Sequence, residues 1–260
     1  TLPSTGFVPE VTLEANPENL TPERSRKWHA AGINRLSIGI QSFHDEDLRL
    51  LERLHSVETI ERSVANARAA GFQNISLDLM FALPGQTPAK WEENIHRALE
   101  LEPEHLSFYG LTYHEGTPFE EWLRAEKLRE LEDDVQAEMY LRGAELLEAA
   151  GFEHYEISNF ARPGWRSRHN QRYWTRQDVL GLGPGAHSNL GRERWVNPES
   201  LEHWADALDT GRLPHEPVEE IDELAAAGER LFTGLRRREG VTRSGAPELF
   251  RACRLWLASA

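Results

Sequence analysis

The stretch Trp165-Arg166-Ser167-Arg168-His169-Asn170-Gln171-Arg172-Tyr173-Trp174 puts an imidazole among guanidiniums and aromatic rings, with Arg162 and Arg176 flanking it. The chain around it is acidic, with a formal net charge of −14. A flat, anionic, metal-bearing ligand would use these groups together. Imidazole ligates iron, guanidinium pairs with carboxylates, and aromatic rings stack on a macrocycle. The plainer reading is a surface loop whose arginines answer nearby acids, with Tyr173 and Trp174 in the core. A second set of polar residues falls at the ends of β-rich runs: Glu14 and Asn16, Gln41 and Ser42, Asp78, and Thr112. In parallel α/β folds, sites form at the carboxyl ends of strands. Several of these residues could equally cap the helices that follow. Asp78 is the exception, because it lies inside the apolar run Ile75–Met80, and a buried carboxylate needs a partner.

Two further words invite a site reading and support it weakly. Gly181-Leu182-Gly183-Pro184-Gly185-Ala186-His187-Ser188 fails the dinucleotide spacing and lacks the Lys-Ser/Thr of a phosphate loop. A tight turn with close backbone approach is the safer expectation, with His187 a hydrogen-bonded structural histidine. Leu83-Pro84-Gly85-Gln86-Thr87-Pro88 reads as a turn, a cap and a helix start.

The elements that must position these residues alternate in period. β-rich runs at 11–14, 35–40, 75–81 and 105–111 are separated by helical stretches at 21–31, 45–53, 57–70 and 88–101. Thr21-Pro22 and Thr87-Pro88 are helix starts, and Gly32 and Gly71 are stops. This alternation predicts a parallel sheet with right-handed crossovers, either doubly wound or part of a barrel. A long helix is predicted over about 131–150, then a strand within 154–160 and a Gly-, Arg- and aromatic-rich segment from 161 to 197. Helices return at 201–208 and 221–237.

Bulk properties exclude several classes. The charge disfavours nucleic acid as a partner. No apolar run reaches the roughly 18 residues of a membrane span. The only cysteine is Cys253, so no internal disulfide, Cys₄ zinc site or three-cysteine cluster can be built from this sequence. A cytoplasmic setting is the expectation.

Taken in order, the words are specific. Glu14-Ala15-Asn16-Pro17, Asn34 to Phe43, Asp78 to Thr87 and His105-Leu106-Ser107 resemble the radical S-adenosylmethionine (SAM) half of the oxygen-independent coproporphyrinogen III oxidase family. His154 to Ala161, His169-Asn170 with Tyr173-Trp174, and Gly183 to Ser188 resemble its heme-chaperone branch. The resemblance covers about residues 9–240. It implies a partial radical SAM (β/α) barrel over 1–150, a heme-motif region closing it over 151–200, and a smaller α-rich C-terminal region over 201–260. It further implies SAM contacts at Glu14, Gln41, Arg53 and Asp78, and heme contacts at His169, Tyr173 and Trp174, with His169 on the iron.

The family's CxxxCxxC motif and its [4Fe–4S] cluster have no counterpart here. They are expected upstream of Thr1, as is the glycine pair that binds the amino-acid part of SAM. That absence should leave a parallel strand at a sheet edge. The function implied is heme binding and delivery to heme-accepting proteins, with a homodimer as a further expectation. The alternative is a coproporphyrinogen III oxidase-like radical SAM enzyme, inactive without the cluster. A third reading is a degenerate binding module.

Overall fold

The computed structural model describes residues 8–213 and 218–242. Cys253, and the C-terminal region expected to be helical beyond 242, lie outside the described residues. The chain divides into two compact units, 1–166 and 167–260.

The first unit holds β1 (Thr12–Ala15), α1 (Pro22–Ala30), β2 (Arg35–Gln41), α2 (Asp45–Leu50), α3 (Val57–Ala69), β3 (Ile75–Phe81) and α4 (Pro88–Glu100). It continues with β4 (His105–Gly110), α5 (Pro118–Arg124), α6 (Asp133–Ala149), β5 (Glu153–Glu156) and β6 (Asn159–Ala161). The predicted helix starts hold. Thr21, Ser56 and Thr87 each accept a hydrogen bond from the backbone N–H three residues on, satisfying one orphan donor of the first turn. Gly32 and Gly71 end their helices at φ +95° and +104°, a conformation that costs a side-chain-bearing residue more.

The six strands form one sheet in the order β1-β2-β3-β4-β6-β5. β1 to β4 are parallel, and β6 and β5 are antiparallel. β1 lies at one edge. The single strand expected in 154–160 is a hairpin instead: β5 and β6 pair antiparallel on either side of Ile157-Ser158.

The sheet's two faces differ in kind, because side chains alternate along a strand. One face carries Leu36, Ile38, Ile40, Ile75, Leu77, Leu79, Leu106, Phe108 and Phe160, all buried in the core. Residues of α3, α4 and α6 complete that core, among them Ile60, Val64, Trp91, Ile95, Met139 and Leu147. At roughly 25 cal/mol per Å² of apolar surface removed from water, this layer is the unit's main source of stability. Trp91 also donates its indole N–H to the Met139 carbonyl at 2.7 Å. The other face is polar, with Glu14, Arg35, Ser37, Ser76, Asp78, His105, Ser107 and Asn159. Parallel strands covered on both faces by apolar layers read as continuous apolar runs. Here they alternate, so one face is reserved for polar contacts.

The second unit holds α7 (Arg168–Trp174), β7 (His187–Leu190), β8 (Glu193–Val196), α8 (Leu201–Asp209), β9 (Glu219–Glu220) and α9 (Glu223–Gly234). β7, β8 and β9 form a small antiparallel sheet. The segment read as glycine- and arginine-rich loop therefore contains a helix and a hairpin. Among the described residues, no helix is long and apolar enough to cross a membrane.

Candidate functional site

The four residues expected to meet SAM line one concavity of about 320 Å³ in the first unit. Glu14 comes from β1, Gln41 from the end of β2, Asp78 from β3 and Arg53 from the turn after α2. Asn16, Asn19, Ser37 and Gly39 complete the lining. Arg53 Nη1 donates to Asn16 Oδ1 at 3.3 Å, and buried His55 lies two residues on, its Nε2 3.2 Å from the Ile40 carbonyl oxygen. Gln41 sits at φ +65°, in the left-handed region, where the β2–β3 register shifts. Such a residue costs of order 1 kcal/mol and persists where its surroundings hold it; a bulge re-aims the side chain it carries.

Asp78 is mid-strand rather than at a strand end. Its partners are hydroxyls: Ser37 Oγ donates to Oδ2 at 3.1 Å, and Ser76 Oγ lies 3.3 Å from Oδ1. Burial pushes the carboxyl above its usual range. The hydroxyls of Ser107 and Ser37 and the Arg35 guanidinium pull the other way, and Glu14 raises it further. Tyr109 is pushed up to about 12, by burial first and then by Asp78.

Gly39 shows how close the lining runs. A Cβ there would lie 2.9 Å from Gln41 Nε2 and 3.6 Å from Asn16 Oδ1. Asn19, Ser37 and Gly39 were not singled out from sequence. The available signal was the polar period of β2, in which Arg35, Ser37 and Gly39 share a face. The residues fit a nucleoside with an amino-acid tail: carboxylates and amides for ribose hydroxyls and an ammonium, and a guanidinium for a carboxylate. They do not fit an iron–sulfur cluster, which needs thiolates the sequence supplies only at Cys253.

The residues expected to meet heme, His169, Tyr173 and Trp174, lie on α7 in the second unit. Ser167 caps this helix by accepting from the Asn170 N–H at 3.2 Å. His169 and Tyr173, one turn apart, meet edge to face at 4.9 Å between ring centroids. His169 is exposed and Tyr173 is 46% exposed, so the tyrosine is not a core residue. Tyr173 and Trp174 line a largely apolar cavity of about 460 Å³ with Arg176, His187, Arg194 and Phe232. His169 is not among its lining residues. Trp174 lies under the Arg236 guanidinium at 4.8 Å, and its buried indole N–H has no hydrogen-bond partner among the described residues. An imidazole at the surface beside an aromatic wall suits an axial ligand and a stacked macrocycle.

The arginines around the motif divide differently from the heme expectation. Arg162 covers the Phe152 ring at 4.7 Å and donates to the Pro103 carbonyl. Arg166 pairs with Glu153 at 2.9 Å. Arg176, its side chain 8% exposed, pairs with Glu229 at 2.9 Å, and Arg194 reaches the same carboxylate at 2.5 Å. All four answer local groups. The glycine-rich word is a turn, as expected: a Cβ on Gly181 would fall 2.5 Å from the His187 carbonyl oxygen. Asn197 holds the turn by donating to the Gly183 carbonyl at 2.8 Å.

The radical SAM superfamily matches residues 6–98. The chain is 38% identical over 241 residues to the heme chaperone HemW of Bacillus subtilis, covering 93% of this chain and 64% of that protein. It is 36% identical over 245 residues to the heme chaperone HemW of Mycobacterium tuberculosis, covering 94% and 63%. The mitochondrial radical S-adenosyl methionine domain-containing protein 1 of Mus musculus is 39% identical over 241 residues, with 90% and 54% covered. The chain thus spans less than two thirds of the length of these relatives. Among solved structures, the coproporphyrinogen III oxidase of Escherichia coli superposes with a TM-score of 0.73 at 23% identity, covering 88% of this chain and 55% of that one. That likeness establishes the fold. Residues 6–98 thus match the radical SAM superfamily, and over most of its length the chain is similar to the heme chaperone HemW.

Proposed function

We propose that this chain binds SAM in the concavity of its first unit and heme at the α7 motif of its second, and passes the heme to hemoproteins. The observation that carries the heme half is His169, an exposed imidazole edge-on to Tyr173, in a chain whose relatives are named heme chaperones. The observation that supports the SAM half is the gathering of Glu14, Gln41, Arg53 and Asp78, widely spaced in sequence, around one concavity.

When bound, heme would supply an iron centre that an imidazole nitrogen can hold. His169 would hold that iron through an imidazole nitrogen. Tyr173 and Trp174 would wall the macrocycle. In the first unit, Arg53 would pair with the SAM carboxylate, and Glu14, Gln41 and Asp78 would bind its hydroxyls and ammonium. Oxidase chemistry in this family would need an iron–sulfur cluster, whose thiolates the residues of the concavity do not supply.

Titration with heme, followed at the Soret band, tests the first half. His169→Ala should lose the shifted band and weaken binding at least tenfold. An identical Soret shift in that variant removes His169 from the ligand role. Titration with SAM by calorimetry tests the second half; Asp78→Ala and Arg53→Ala should each lose measurable binding. The homodimer and hemoprotein partners are separate proposals, checked by sedimentation and by transfer of heme to an apo-hemoprotein.

A further inference from the structure

Buried polar groups run in one line across the polar face of the first unit's sheet. Ser76 Oγ stands between Asp78 Oδ1 at 3.3 Å and His105 Nδ1 at 2.7 Å. His105 Nε2 lies 2.8 Å from the Tyr155 hydroxyl. Ser76 and His105 are fully buried, and Tyr155 nearly so. Register holds them together, since Ser76 of β3 is the direct neighbour of His105 of β4. The groups facing the line are Glu14 of β1, Arg35 of β2, Tyr109 of β4 and Glu156 of β5, with Arg53 at the concavity. Burial, and then Arg35, hold His105 well below its usual range, so the imidazole is neutral.

A neutral imidazole has one N–H, and a hydroxyl has one proton. The line therefore has two consistent arrangements. With Asp78 ionised, Ser76 donates to Asp78, Nδ1–H donates to Ser76, and Nε2 accepts from Tyr155. With Asp78 protonated, Asp78 donates to Ser76, Ser76 donates to Nδ1, and Nε2–H donates to Tyr155. Moving between them balances. One proton taken up at the Tyr155 oxygen, and one passed along each hydrogen bond, leaves a proton on Asp78. The only other change is the His105 tautomer.

We propose that His105 is a positioning residue for Asp78, acting through Ser76. Its tautomer is locked to the charge with which Asp78 meets a ligand in the concavity, and Tyr155 is the far end of the path. The proposal deepens the SAM reading and rests on it for its functional consequence. Ionised Asp78 can accept from two ligand hydroxyls or an ammonium. Protonated Asp78 has surrendered one acceptor and the charge.

Nitrogen-15 NMR of histidine-labelled protein reads the tautomer directly, with the His105 signals assigned by their loss in His105→Phe. In a pH titration without ligand, His105 should pass from the Nε2–H to the Nδ1–H tautomer as pH rises and Asp78 ionises. In Asp78→Asn, whose amide donates toward Ser76, it should be the Nε2–H tautomer. A tautomer that does not change with pH in the unmodified chain, or one that still changes with pH in Asp78→Asn, overturns the proposal.

The second measurement is SAM affinity against pH. In His105→Phe the midpoint should rise by about half to one pH unit, since the ionised carboxylate loses one relayed hydrogen bond. In His105→Asn, whose amide can take the place of Nδ1–H, the midpoint should return. A uniform loss of affinity at unchanged midpoint would mean a merely structural histidine. If the unmodified chain binds no SAM, the functional reading fails while the tautomer result still judges the relay.

Discussion

The two candidate sites are built at opposite extremes of contact range. Glu14, Gln41 and Asp78 lie on three neighbouring parallel strands, and Arg53 comes from a turn between them. None is near another in sequence, and their spacing is set by sheet register and the β2 bulge. His169, Tyr173 and Trp174 lie within two turns of one helix, and their spacing is set by the helix itself. The first site is a property of a packed core and inherits its rigidity. The second is a local device on an exposed helix. Mutations that disturb the core should therefore separate the two sites, and the predictions below are ordered by the size of that effect on stability.

The largest effect is expected at Gly143 of α6. A Cβ there would lie 2.8 Å from Trp91 Nε1, 2.9 Å from Phe108 Cε2 and 3.1 Å from Ile95 Cδ1. All three belong to the apolar layer beneath the SAM concavity. Gly143→Ala gains helix propensity of about 1 kcal/mol and forces overpacking that costs more. A net loss of about 2 kcal/mol in denaturant unfolding is expected, with SAM affinity falling alongside.

Next is Glu229, the carboxylate shared by Arg176 and Arg194. The two guanidiniums hold it below its usual range, although burial alone would raise it. A depressed carboxylate contributes stability above its unfolded value, and that contribution is lost as pH falls through the folded one. Glu229→Gln leaves the nearly buried Arg176 charge short of its partner. A loss of about 1–2 kcal/mol at pH 7 is expected, shrinking toward zero below pH 4. Thermal melts at both pH values check it.

Asp78 reverses the sign. Burial raises its pKa, so the folded state holds the proton more tightly than the unfolded one, and the ionised form is a net cost. Stability tied to this group is present at low pH and lost as pH rises from the ordinary carboxylate range toward the raised value. Asp78→Asn should raise the unfolding free energy at pH 7, with the gain vanishing below pH 4, while SAM binding falls at least tenfold. Stability gained with binding lost is the signature of a site residue held at a cost.

Legibility follows the same division of range. The helices were readable because Thr21-Pro22 and Thr87-Pro88 cap locally and Gly32 and Gly71 stop locally. The strands of the parallel sheet were readable from their apolar alternation. Glu14, Asn16, Gln41 and Asp78 were readable as polar residues on successive parallel strands, where sites form; Ser37 was not, since only register brings it beside Glu14 and Asp78. Resemblance to a family supplied Glu14, Gln41, Arg53 and Asp78, and it passed over Ser37, Asn19 and Gly39, which carry no unusual chemistry. The Ile157-Ser158 turn was missed because two strands of four and three residues look like one run. α7 was missed because arginines and aromatics at a helix surface look like loop composition; its Ser167 cap was the available signal.

The smallest effect on stability should come from the residue with the largest expected effect on heme. His169 is exposed and meets the half-exposed Tyr173 ring edge to face. Substitutions of exposed side chains usually shift stability little, and the edge-to-face contact itself is worth about 0.5–1 kcal/mol at most when buried and less at the surface. His169→Ala should therefore shift the unfolding free energy by no more than about 0.5 kcal/mol and leave SAM titrations unchanged, while the Soret band of the heme complex is lost. Tyr173→Phe sharpens the test. It keeps the ring beside His169, and since no hydrogen bond to its hydroxyl defines the motif, heme affinity should stay within about threefold of the unmodified chain. If His169→Ala instead melts the second unit or weakens SAM, α7 is part of a shared framework, and the contrast between a core-built site and a local one fails at the point where it is drawn most sharply.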